Sequence, residues 1–175
     1  MKIESTDGET YEVKITPKIE FYVVGKGDAG FIQPGVYING RGTKSNETIF
    51  INKVTAVLLP KGKRAPAGRI QKATVSEGES LQTFDVSGEI VSSGPVPDYP
   101  THTGLELKLP AHKEQVWLEP DFEVEVASTD PAHATSGADV LMIMKPLAGG
   151  KLVPVALKVL REGGFDSKEV LPPGK

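Results

Sequence analysis

The chain has no cysteine among its 175 residues, which excludes disulfides, thiolate metal sites and cysteine nucleophiles together. It also leaves the redox compartment open, since a chain without thiols is indifferent to it. Long apolar runs are missing too. The uninterrupted ones are short, such as AVLL (Ala56–Leu59) and VLMIM (Val140–Met144), whereas a bilayer-spanning helix needs roughly 20 residues. The opening residues MKIESTDGETYEV contain no apolar stretch of the signal-peptide kind, so nothing in them marks the chain for secretion. Aromatics are scarce, with one Trp and four Tyr, and a net charge of −3 argues against a general nucleic-acid binder.

What is present points to a folded, water-exposed protein. Charged residues make up 25% and apolar ones 38%, too balanced for disorder and too polar for a membrane protein. The length suits one domain with a sizeable core. Nineteen Gly and 14 Pro against three Met fit many tight connections and few oxidisable side chains, a composition suited to a hot environment.

The dominant period is two. Phe21 and Val23, Leu105 to Leu109, and Phe122 to Val126 alternate with polar residues, placing one face in a core and the other in water. Turn signals such as GKGDAG, NGRG, PKGK and SSGPVPDYP separate these runs. The pattern predicts an all-β, single-domain, jelly-roll-like sandwich or barrel of about eight to ten antiparallel strands. Residues 1–162 form that domain and residues 163–175 an extended C-terminal arm with little that could pack. VTAVLL and VLMIM are apolar on both sides, which places them centrally in sheets or against a second subunit. Lys151–Leu160 reads as helix or strand, with its valines favouring strand.

Gly25, Gly27 and Gly30 in FYVVGKGDAGF match a G-x-G-x-x-G. A dinucleotide site needs a helix starting at those glycines, because the helix N-terminus holds the pyrophosphate. Here Pro34 and Gly35 follow within one turn, so the motif reads as a bend after a strand. The three histidines, His102, His112 and His133, lie in loop-like contexts. A cupin-like metalloenzyme would draw on His102, His112 and Glu114, but Pro110 and Ala111 mark a turn where a ligand-bearing strand would be needed. There is no G-x-S-x-G, and the sequon Asn46-Glu47-Thr48 lacks a secretory context. No catalytic, cofactor-binding or metal-binding set emerges.

Charge is unevenly spread. Thr48–Ser76 carries six cations and no acid, with Lys61, Lys63, Arg64 and Arg69 in or beside the projecting loop PKGKRAPAGR. These four are candidate contacts for lipid headgroups or a protein partner; no aromatics interleave them, so base stacking and nucleic acid are unsupported. Glu119–Asp130 carries five acids and no cation, and Glu119, Asp121, Glu123 and Glu125 form a candidate acidic partner patch. The two stretches read either as solvated faces or as complementary surfaces between subunits.

In length, strand-dense texture and Pro/Gly-rich, cysteine-free composition the chain resembles the smaller major capsid protein of icosahedral, internal-membrane bacteriophages of Thermus. GVYINGRGTKSN, KEQVWLEPDFEVEVAST and EVLPPGK are the stretches that fit. The resemblance implies a non-enzymatic jelly-roll subunit of a virion, made in the host cytoplasm and without cofactors. It further implies a homo-oligomer, as a dimer, packed with a second, larger capsid protein over an internal membrane. A different reading is a carbohydrate- or surface-binding β-sandwich module, with Tyr37, Tyr99 and an outward-facing Trp117 as its aromatic platform.

Overall fold

A computed structural model describes residues 1–4, 8–60, 62–74, 82–111, 114–147, 149–150 and 152–171. Eleven strands follow in order: β1 (Lys2–Glu4), β2 (Thr10–Glu12), β3 (Glu20–Gly27), β4 (Tyr37–Ser45), β5 (Thr48–Leu58) and β6 (Arg69–Lys72), then β7 (Thr83–Val96), β8 (Tyr99–Leu107), β9 (Gln115–Ser128), β10 (Asp139–Pro146) and β11 (Leu152–Leu160). One helical turn, α1 (Ser167–Val170), comes last. The protein is all-β, as its period-two patterning predicts, and the ambiguous stretch before residue 160 is strand.

β1 and β2 form a small hairpin, and the other nine strands share one sheet. Within it β5 pairs with β4, β4 with β7, β7 with β8, β8 with β9, and β9 again with β5, so five strands close into a ring. The long strands β7 and β9 make this possible by serving different neighbours along their length. Val116 and Leu118 of β9 lie against β8, whereas Val124–Ser128 lie against β3, which continues to β11 and β10. On β7, Phe84–Ser87 carry the short strand β6 and Ile90–Val96 carry β8.

The antiparallel expectation needs correcting at two places. β5 runs parallel to β9, and β11 parallel to β3. Side chains alternate with period two in either direction, so the pattern carries no information about strand sense. Phe122–Val126 belongs to a longer strand that begins at Gln115 and carries an irregularity: β9 advances from Leu118 to Glu123 while β5 advances only from Ile51 to Lys53.

The core holds the inward residues of every ring strand. Ile38, Ile49, Ile51, Val86, Ile90, Leu118 and Val126 are all almost wholly buried, joined by Phe21, Val23, Leu157 and Val159 from the extension. In β5 the alternation resets across Asn52 and Lys53, both exposed, so that Ile51 and Val54 both point inward. The sequon Asn46-Glu47-Thr48 is the β4–β5 hairpin turn. Asn46 takes φ 54°, a left-handed conformation that Asn tolerates better than most residues.

Residues 163–171 depart from the expected extended arm. Phe165 is only 4% exposed and bridges to Gly27, its backbone N–H donating to the Lys26 carbonyl at 2.7 Å. The Arg161 guanidinium lies 4.6 Å from the Phe165 ring centroid, and the His133 ring meets the same phenyl edge-on at 5.7 Å. The Phe165 ring anchors this segment to the rest of the domain. Residues 172–175 of the expected arm lie outside the described residues.

Candidate functional site

The glycine-rich bend is a junction between two distant parts of the chain. β3 ends at Gly27, and a single 3-10 turn, Ala29–Phe31, follows with Asp28 as its cap. The Asp28 carboxylate accepts from Gly30 N at 2.7 Å, from Ser167 Oγ at 2.6 Å and from Ser167 N at 2.8 Å. Burial raises the Asp28 pKa, but these hydrogen bonds outweigh it and hold the carboxyl below its ordinary value. The glycines serve close packing: a Cβ on Gly27 would lie 2.6 Å from Val126 Cγ2, and one on Gly30 would overlap Ser167 Oγ. No phosphate cradle forms, because no helix of useful length begins here.

The candidate basic residues separate into two places. Lys63 and Arg64 are exposed on the rim of an open cleft of about 1030 Å³. Its floor is aliphatic, with Val36, Leu58 and Val170, but its walls also carry Glu89, Asp130 and Glu169, so the cleft is amphipathic with mixed charge. Arg69 lies elsewhere, on β6, in a shallow depression with Arg41, Lys53 and Asp85. Lys61 lies outside the described residues.

The acidic residues separate as well. Glu119 and Asp121 fall in the irregular stretch of β9, while Glu123 and Glu125 sit on its ladder beside β5. There the acidic stretch meets the basic one within a single chain. Lys53 is in register with Glu123 and its Nζ lies 3.7 Å from Glu125, while on the same sheet Arg41 Nε contacts Asp85 at 2.9 Å. Part of the charge read as complementary between subunits is therefore compensated across neighbouring strands.

Among the described residues no group of three His, Asp or Glu side chains comes close enough to hold a metal ion. Glu114 pairs with Lys44 at 3.1 Å, His102 sits among aromatic rings, and His112 lies outside the described residues. His133 Nδ1 lies 2.7 Å from Ser128 Oγ, which also accepts from Asp130 N at 3.1 Å. This resembles half of a nucleophilic pair, but Ser128 is fully buried, and the Asp130 carboxylate caps Ala132 N instead of orienting the imidazole. The contact anchors the loop after β9. Of the three platform aromatics, Tyr99 and Trp117 come together at 5.3 Å, with Trp117 on the outer face because Val116 and Leu118 point inward. Tyr37 is buried and lines the cleft.

A feature that sequence reasoning only half anticipated is the strand VLMIM. It is not central: β10 is the terminal strand of the sheet, and among the described residues nothing pairs with its outer side. Leu141 and Ile143 are 59% and 61% exposed, and Leu152 of β11 adds another exposed aliphatic side chain. The signal in the sequence was apolar character on both strand faces, with Val140, Met142 and Met144 half-buried on the inner one.

Comparison with protein-family models, with characterised proteins and with solved structures finds no match.

Proposed function

We propose that this chain is a structural shell subunit that self-associates as a dimer and packs with a second, larger protein in an icosahedral capsid. The observation that carries the reading is the outer edge of β10, which none of the described residues pairs with. An unpaired strand presents a row of free N–H and C=O groups, and soluble proteins usually blunt such an edge with charge or brevity. The opposite end of the sheet follows that rule: β6 is four residues long and carries Arg69, Gln71 and Lys72. β10, with exposed Asp139, Lys145 and Pro146 only at its ends, carries Leu141 and Ile143 into solvent in between. Cross-strand pairs of such side chains contribute roughly 0.2–1 kcal/mol each, added to the main-chain ladder. A second β10, related by a two-fold axis, supplies the missing hydrogen bonds and sets Leu141 and Ile143 beside their counterparts on the same sheet face.

Resemblance in length, composition and texture supplies the rest of the reading. A virion subunit made in the host cytoplasm needs no catalytic centre, and the self-compensated charges of β4, β5, β7 and β9 suit an exposed outer face. Lys63 and Arg64, on the rim of the cleft, are offered to an anionic partner, either the companion capsid protein or the headgroups of an internal membrane. Sedimentation of the purified chain tests the first step, with a dimer expected at micromolar concentration. Electron microscopy after mixing with companion virion proteins tests the second, with ordered assemblies expected. A strict monomer that never associates, even with those partners, overturns the proposal.

A further inference from the structure

On the outer face of the ring the register places Gly94 of β7, Gly104 of β8, Trp117 of β9 and Phe50 of β5 in one row. The two glycines have no side chains, so the strand backbone forms the floor of a trough beside the indole. A Cβ built on Gly94 meets nothing within 4 Å, while one on Gly104 would lie 3.3 Å from Val96 Cγ2, which bounds the floor there, and 4.0 Å from Trp117 Cδ1. The floor and the ring are therefore on the same side of the sheet. Phe50 backs the indole edge-on at 5.6 Å, Tyr99 tilts against it at 5.3 Å, and His102 touches all three rings. Rings in mutual contact form a wall, not a cage with room for a cation. Tyr99 is 54% exposed.

Two depressions of about 470 and 450 Å³ meet at Gly104, Gln115 and Trp117. Ser92 and Glu106, hydrogen-bonded to each other at 2.8 Å, and Glu114, paired with Lys44, contribute polar groups to one, and Asp98 to the other, while among the described residues no lysine or arginine lines either.

We propose that this trough binds a neutral saccharide chain. A sugar ring presents a C–H face that stacks on an aromatic surface and a hydroxyl edge that seeks carboxylate, amide and hydroxyl partners. The floor open at Gly94 and bounded by Val96 admits a flat ring on the Trp117 side, and Gln115 and Asp98 offer hydrogen-bonding groups next to it. Depressions on both sides of the shared residues leave space for more than one sugar unit. With Asp98, Glu106 and Glu114 against Lys44, the described surroundings of the trough are net negative, which disfavours polyanions, and a proline-rich peptide offers no hydroxyls to Gln115 and Asp98. This site is remote in the sheet order from β10 and does not depend on self-association.

Trp117 is the single tryptophan, so its emission reports the site directly. The full chain is titrated with cellulose-, starch-, mannan- and chitin-derived oligosaccharides, with heparin fragments and a polyproline peptide as comparators. The expected result is a saturable emission change with at least one neutral oligosaccharide. Gly94→Leu, which fills open space, weakens that binding about tenfold or more with an unchanged melting curve. Asp98→Ala, at an exposed turn, provides a second variant that also weakens binding. By calorimetry Trp117→Ala abolishes it. No saturable response to any neutral oligosaccharide, a response confined to heparin or polyproline, or undiminished binding by both Gly94→Leu and Asp98→Ala overturns the proposal.

Discussion

Asp28 and Ser167 stand 139 residues apart, yet the aspartate carboxylate accepts from both the hydroxyl and the backbone N–H of the serine, at 2.6 and 2.8 Å. The pair joins the bend after β3 to the last helical turn and holds Phe165 in place beneath them. Ser167→Ala is expected to lower stability by about 1 kcal/mol, the net worth of a hydrogen bond at a partly exposed site, measured by urea denaturation. No change in the denaturation midpoint would show that the clasp is incidental.

The same carboxylate sets a pH dependence. Its pKa is lowered in the folded chain, so unfolding raises proton affinity at this site. The stabilisation is complete above the unfolded-state value, about 3.9, and is lost as pH falls from there through the folded-state value. Asp28→Asn should therefore flatten the acid limb of a stability–pH curve while leaving its neutral region parallel to that of the original chain. An acid limb of unaltered slope counts against this assignment.

Gly27 is required by close packing. A Cβ there would lie 2.6 Å from Val126 Cγ2 and 3.1 Å from Phe31 Cδ2. Gly27→Ala is expected to destabilise by about 1–3 kcal/mol through overpacking, read from chemical denaturation. Gly94→Ala, at an open position on the sheet surface, should fall well below that.

Phe165 tests whether the C-terminal segment belongs to the domain. Its ring is buried, and truncation of a buried Phe costs about 3–5 kcal/mol. Phe165→Ala should lower the melting temperature sharply, and removal of everything after Glu162 should do so at least as strongly. Retention of full stability by the shortened chain would restore the view of an arm.

At β10 the opposite behaviour is expected. Leu141→Lys combined with Ile143→Lys replaces exposed side chains, so folding stability should shift by about 0.5 kcal/mol or less. Association should instead collapse to monomer in sedimentation, since two cations on each edge repel across a two-fold contact. A dimer that survives both substitutions places the interface elsewhere.

Much of the fold was legible in the order of residues. Alternation in Glu20–Val24, Leu105–Leu107 and Phe122–Val126 marked strands, and Pro34 with Gly35 ruled out a cofactor helix after Gly30, because these are properties of neighbouring residues. The outward placement of Trp117 followed from the inward Val116 and Leu118 in the same way. Contacts between distant segments were not legible. Nothing in the period of β5 or β9 fixes whether they run parallel, and nothing near Asp28 names Ser167. The six cations and five acids read as separate blocks, but the β5–β9 register sets Lys53 beside Glu123 and Glu125. Apolar character on both faces of Val140–Met144 fits a central strand and an edge awaiting a partner equally well. Local backbone and side-chain physics therefore determined that this chain is built of strands. Long-range pairing alone decided which edge stays open, which charges cancel, and that two glycines come to lie beside the one tryptophan.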